Sequence, residues 1–386
     1  MTEGVFEHQK FDRAIDRGQQ NGDPVSLVVP FLRLARSEGP GDERGSDLDR
    51  LPDLSVLLDC GGNQYHAILN RIIPIVHARL MTVAKDVSIP QDLHQYIRIN
   101  ALKAIAGHMF REHWLHRILE QSEAAGIPII LLKGAAFQNY LYSTSEPRLG
   151  CDFDLLTKQS DFARMCNVMA ETMTAVFDTK RRYSHETAFQ WMFQSGSSNG
   201  PIIEIHRAIT SPYIFSISEE NLWAHSRPHP AYDSDLIRIL SPEDNVLHLA
   251  VHAFRDLNYC NHNLLDTHEV WRQWKPDVNL LLERSRAWGA NGALYYLLLG
   301  AQRLMDTPVP DSLLERLAPS PIRRLIIDRI LASSIIRAGQ HFHPAYRLLQ
   351  TVSQLTVPRN PFRGLLFHLD YAKSRVLDLY AALRSY

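Results

Sequence analysis

The spacing of hydrophobic positions along this chain changes twice. In the first third they recur every three or four residues. Ala67–Val76 and the longer run Leu93–Ala125 therefore read as amphipathic helices, the first interrupted or kinked at Pro74 and the second ended by Gly126-Ile127-Pro128. Residues 36–53, which include Glu38-Gly39-Pro40-Gly41-Asp42-Glu43, are polar, glycine-bearing and aperiodic, and predict a mobile loop. In the middle third, short apolar runs read as strands at Ile127–Leu132, Asp152–Thr157, Val176-Phe177, Ala188–Phe193 and Ile202–His206. A short helix is expected over Ala135–Tyr142 and another from Ser160-Asp161-Phe162 to about Met173, with Ser195–Gly200 as a connecting turn. From Ser241-Pro242-Glu243-Asp244, an N-cap followed by proline in the first turn, the helical period returns over Asn263–Trp274, Ala287–Met305, Ile322–Ala338 and Leu365–Leu383. The pattern divides the chain into a helical region 1–125, an α/β module 126–240 and a helical domain 241–386, an α+β architecture with a small mixed sheet at its centre.

The chemistry sits on the strands. Residues two apart on a strand share a face, so Asp152 and Asp154 point together while Phe153 and Leu155 turn into the core. Ile203-Glu204-Ile205 repeats the alternation and adds a third carboxylate, with His206 on the same face as Glu204. Clustered carboxylates are unfavourable unless a cation fills the site, and oxygen ligands on a rigid sheet suit Mg²⁺ or Mn²⁺. An Asp-x-Asp pair alone is common by chance and more often structural. Its position after Lys133-Gly134 and beside a third carboxylate favours a metal site, with Asp152, Asp154 and Glu204 as ligands. Arg148 either pairs locally with Glu146 or Asp152 or meets a phosphate or the acidic cluster. His206 either contacts substrate or forms hydrogen bonds in the cleft.

Leu131-Leu132-Lys133-Gly134-Ala135-Ala136, a helix, Pro147-Arg148, Asp152-x-Asp154-Leu155-Leu156 and Glu204-Ile205-His206 occur in an order that resembles the uncharacterised nucleotidyltransferase-like family of the polymerase-beta-type nucleotidyltransferase superfamily. The likeness continues through Leu240–His252 to Asp266 and spans about residues 100–310. It implies a mixed-sheet nucleotidyltransferase core and transfer of a nucleoside monophosphate from a nucleoside triphosphate, with release of pyrophosphate. On that reading Asp152, Asp154 and Glu204 are catalytic and hold Mg²⁺ or Mn²⁺, while Lys133, Gly134, Arg148 and His206 face the nucleotide. The sequence departs from the superfamily at the phosphate-gripping turn. Gly134-Ala135 replaces the usual glycine-serine, and the interval to Asp152 is longer. Ala135 offers no hydroxyl, so backbone N–H groups and the charges of Lys133 or Arg148 must carry the triphosphate.

Composition adds exclusions. The net charge of −1, from 41 basic and 42 acidic residues, removes the simplest argument for a nucleic-acid partner, and Lys180-Arg181-Arg182, Arg323-Arg324, Arg329, Arg337 and Arg347 read as solvated faces. A protein, a peptide or a small molecule is favoured as acceptor over a tRNA. No apolar run reaches membrane-spanning length and the acidic start is unlike a signal peptide, so the expected location is cytoplasmic. Cys60, Cys151, Cys166 and Cys260 are too scattered for a disulfide scaffold or a structural zinc site. His248 and His252, four apart, are expected to pack their helix or line the cleft rather than bind zinc, and Trp271, Trp274, Tyr295 and Tyr296 to sit in the core. Two other classes fit less of the pattern. A metal-dependent glycosyltransferase explains the aspartate pair but not Lys133-Gly134 or Glu204, and a non-catalytic binding or regulatory protein explains Ala135 but not the retained carboxylates.

Overall fold

A computed structural model describes residues 24–36, 51, 63–83, 89–143, 147–150, 152–176, 189–195, 200–211, 213–255, 257, 262–333, 344–358 and 360–384. The loop expected over 36–53 lies almost wholly outside these residues, as do Lys180–Arg182, Arg337, Glu146 and most of the 195–200 turn.

Seven strands form one mixed sheet in the order β3-β4-β5-β2-β1-β7-β6. They are β1 (Ile129–Leu132), β2 (Asp152–Leu156), β3 (Thr174–Ala175), β4 (Gln190–Gln194), β5 (Ile202–His206), β6 (Arg227–Pro228) and β7 (Ile237–Ile239). At its centre β2 runs antiparallel to β1 and parallel to β5, in a register that sets Asp154 opposite both Leu132 and Glu204. All four residues of β1 are buried, which is why it reads as a continuous apolar run rather than an alternation. Phe153, Leu155, Ile203 and Ile205 fill the core on one face, leaving Asp154, Glu204 and His206 on the other.

Helices surround the sheet. α1 (Pro24–Ala35), α2 (Asn63–Val83) and α3 (Gln91–Ala124) precede it, and α4 (Lys133–Phe137), α5 (Phe162–Ala170) and α6 (Glu219–His225) interrupt it. α7 (Pro242–Arg255), α8 (His262–Glu269), α9 (Val278–Trp288), α10 (Asn291–Met305), α11 (Asp311–Leu317), α12 (Pro321–Leu331), α13 (Pro344–Thr356) and α14 (Pro361–Arg384) follow. α1 packs on α8 and α10 as well as on α2. Arg33 and Arg36 donate to the carbonyls of Leu304 and Met305 at the end of α10, so N- and C-terminal helices share one hydrophobic core.

Several boundaries follow local chemistry visible in the sequence. Gly126 at φ +64° ends α3, with the Ile127 N–H donating back to the Ser122 carbonyl. Ser241 Oγ accepts from the Asp244 N–H at 3.2 Å, the N-cap expected at α7. Others correct the sequence reading. α2 continues through Pro74, so of the two expectations there the interruption is overturned, since Ile72, Ile73, Ile75 and Val76 are all fully or nearly fully buried and packing holds the turn. The helix expected over Ala135–Tyr142 is instead the short α4, closed by extended Gln138 and by Asn139 at φ +56°. Next to the strand expected at Val176-Phe177, whose second residue lies outside the described residues, the structure has β3 at Thr174–Ala175. The single helix expected over 287–305 is divided at Gly289, whose φ of +70° ends α9 and lets Ala290 N–H reach the Ser285 carbonyl. The helix begun at His262 finishes in a π-helical turn over Val270–Trp274.

Candidate active site

The site is assembled where β1, β2 and β5 meet. Lys133, the first residue after β1, has φ +48°, and its Nζ lies 2.8 Å from Asp154 Oδ1. From two residues past Glu204, His206 Nε2 donates to the same Oδ1 at 2.9 Å and stands 3.4 Å from Glu204 Oε2. Gln190, opposite His206 on β4, donates to Glu204 Oε2 at 2.7 Å. One ligand atom from each of Asp154, Glu204 and His206 lies within 4.8 Å of the others, and all three residues are buried.

Electrostatics follow from this packing. Burial works against charge on Asp154, but Lys133 and then His206 override it and hold the carboxyl well below the usual carboxylate range. Burial also opposes an imidazolium at His206, yet its hydrogen bonds to Asp154 and Glu204 raise its pKa above the ordinary histidine value. For Asp152, burial and then the like charge of Asp154 push the carboxyl up. The Lys133 ammonium and the hydrogen bond from His206 therefore offset the carboxylate charge within the protein itself. His206 Nδ1 is buried with no hydrogen-bond partner among the described residues.

A second buried layer stands behind the site. Arg148 makes a bidentate contact with Asp266 of α8, Nε to Oδ1 at 3.1 Å and Nη2 to Oδ2 at 2.5 Å, while Tyr142 donates to Oδ1 at 2.9 Å. Burial pushes the Asp266 carboxyl up, with Arg148 and Tyr142 opposing it. The position of Arg148 explains Gly134. A Cβ at residue 134 would lie 2.7 Å from Arg148 Nη1, so packing against a pinned guanidinium requires glycine there. From α2, Arg71 reaches the same region: its carbonyl accepts from the Leu149 N–H at 2.7 Å, and its Nη1 lies 3.0 and 3.1 Å from the ring nitrogens of His262.

α7 closes one side with His248 and His252. Burial, then Lys133, brings His248 down to about 3, and the same two causes hold His252 well below the histidine range. Both are neutral residues of a packed wall, as is His262. Trp271, Tyr295 and Tyr296 are core residues, and Trp274 packs on the core partly buried. Cys166 is a buried free thiol, its pKa pushed by burial up to about 12.

Of the residues singled out in the sequence, Lys133, Asp152, Asp154, Glu204 and His206 interact at one locus, whereas Arg148 is bound to Asp266. Gln190 and Arg71 give no sequence signal of their own, because their place depends on strand pairing and on the packing of α2. Two carboxylates and an imidazole, with Asp152 beside them, suit a divalent cation. Asp154 Oδ1 already meets two nitrogens, so metal binding there competes with Lys133.

The chain matches the family described as uncharacterised nucleotidyltransferase over residues 63–306. No curated protein and no solved structure matches it. Among the described residues no helix is long and apolar enough to cross a membrane.

Proposed function

The chain belongs to the uncharacterised nucleotidyltransferase family, and from that premise we propose that it transfers a nucleoside monophosphate from a nucleoside triphosphate to an acceptor hydroxyl. The observation that carries this reading is the buried convergence of Asp154, Glu204 and His206 at the centre of the sheet. Asp152, Asp154 and Glu204, with His206, are the residues that would hold Mg²⁺ or Mn²⁺. When bound, such an ion neutralises phosphate charge and orients the triphosphate.

The chain's own groups account for the remaining requirements. Lys133, whose ammonium lies beside Asp154, would offer its charge to the phosphate oxygens. Glu204, oriented by Gln190, accepts the proton of the acceptor hydroxyl as its oxygen bonds to the α-phosphorus and the bond to the β-phosphate oxygen breaks. Pyrophosphate leaves. Arg148 acts indirectly in this scheme, by fixing the backbone around Gly134. A protein, peptide or small-molecule acceptor fits the near-neutral chain better than a tRNA.

Incubation with each α-labelled nucleoside triphosphate, Mg²⁺ or Mn²⁺ and a cell extract tests the proposal. A labelled acceptor is expected with the wild-type protein and none with Asp154→Asn. Equal labelling by both would contradict it. The ion pairs Lys133–Asp154 and Arg148–Asp266 favour a second reading, a non-catalytic binding or regulatory protein on a nucleotidyltransferase scaffold, because internal partners occupy the charges a triphosphate would use. That reading predicts neither metal-dependent binding of a nucleoside triphosphate nor transfer of label.

A further inference from the structure

Helix α14 is amphipathic in the reverse sense. It buries Gly364, Ser374 and Asp378, while Phe362, Leu365, Leu366, Leu369, Val376 and Tyr380 are between 48% and 72% exposed. On a helix of 3.6 residues per turn these six fall within an arc of about 100°, opposite the buried positions. The helix is held in this orientation at its first turn, where Arg363 donates to the carbonyls of Tyr213 and Phe215 and to Ser216 Oγ. Gly364 allows close approach to the Gln354 carbonyl of α13.

The exposed stripe has the spacing of a self-pairing helix. Phe362, Leu369 and Val376 recur at seven-residue intervals, with Leu365, Leu366 and Tyr380 at the intervening positions. Lys373 is the charged residue within the arc between Phe362 and Tyr380, so the stripe has no charge pattern that would select an oppositely charged partner. From their fractional exposures the six residues present roughly 650 Å², so pairing two copies would bury at most about 1,300 Å², at the lower end of the range of about 1,200–2,000 Å² for stable interfaces. A seven-residue stripe meeting its own copy about a two-fold axis forms a closed, isologous contact.

We propose that α14 is a homodimerisation helix, its Phe362–Tyr380 stripe packed against the same stripe of a second copy of this chain. The proposal is independent of the chemistry at Asp154. Sedimentation or light scattering of the full chain tests it. The expected mass is twice 44.1 kDa, falling to 44.1 kDa in the Leu369→Glu/Val376→Glu double variant with an unchanged circular dichroism spectrum. Two buried charges should weaken self-association on the order of 100-fold or more. Leu369→Ser, a milder change at an exposed position, should weaken it measurably, and it decides the matter if the double variant loses its helical spectrum. A monomeric wild-type protein at high-micromolar concentration overturns the proposal and leaves the stripe to another segment or another protein. A dimer unaffected by any of these substitutions overturns it too. So does a monomer that sediments with anionic lipid vesicles, which would assign the stripe to a membrane surface.

Discussion

Arg148 and Asp266 are both almost completely buried, so the energy of each depends on the other. Arg148→Met leaves a carboxylate without its charge partner and should destabilise the protein by about 3–5 kcal/mol in urea unfolding, as should Asp266→Leu. The double variant replaces the pair by apolar side chains and should lose at least ~2 kcal/mol less than the two single effects added together. Additive losses would show that the pair does not act as a unit. Gly134→Ala belongs to the same cycle. Its Cβ meets a guanidinium that cannot swing away, so it should cost about 1–3 kcal/mol in the wild type and less in Arg148→Met. The buried histidines give a pH dependence of known sign. His248, His252 and His262 have native pKa values below the unfolded 6.5, so between that pH and the native value the unfolded chain binds more protons. Stability is therefore full above about pH 7 and falls on acidification through a window reaching about pH 3 for His248, by up to ~1.4 kcal/mol per pH unit per histidine. His248→Asn should flatten the slope of unfolding free energy against pH, and an unchanged slope would remove His248 as a contributor.

At the scale of elements, the turn from β1 into α4 places one of the two basic side chains that meet Asp154, the other being His206 of β5. Lys133 holds a left-handed φ of +48° that an L-residue adopts at a cost of about 1 kcal/mol or more, whereas glycine adopts it freely. Lys133→Ala and Lys133→Gly both remove the ammonium, but the glycine variant should be the more stable by about 1 kcal/mol in thermal or urea unfolding. Equal stability would show that the turn carries no strain. Strands with strong apolar signatures, β1, β2 and β5, were legible in the sequence because burial of one or both faces writes itself into the residue pattern. β6 and β7 were not, since Arg227-Pro228 and Ile237-Arg238-Ile239 are too short to establish a period, and β7 gains its place by pairing with β1 and β6 by pairing with β7. The same limit applies to α2. A proline predicts an interruption or a kink from local geometry, while the core that keeps the helix continuous includes residues far away in the sequence. Asp154, Glu204 and His206 were readable as one face because two-residue alternation fixes it. That Arg148 would turn to Asp266 depends on α8, 118 residues further on, and no local pattern shows it.

For the whole molecule, a divalent cation and a nucleoside triphosphate at the proposed site would lie at the centre of a mixed sheet, between N- and C-terminal helices that share one core. That core is what permits a cluster of buried charge, because its strands cannot separate to let the carboxylates reach solvent. A cation that took Asp154 from Lys133 would make nucleotide binding depend on metal, and chelation should then weaken it. The most direct measurement is calorimetric titration of a non-hydrolysable nucleoside triphosphate into the wild-type protein and into Asp154→Asn, each with Mg²⁺ or Mn²⁺ and with chelator. Saturable binding to the wild type is expected with metal, with at least ~10-fold weaker binding after chelation and the same weakening in Asp154→Asn whether metal is present or absent. A folded wild-type protein that binds none of the nucleoside triphosphates in the presence of metal, or that binds one equally well without metal and without the Asp154 carboxylate, would contradict the proposed function.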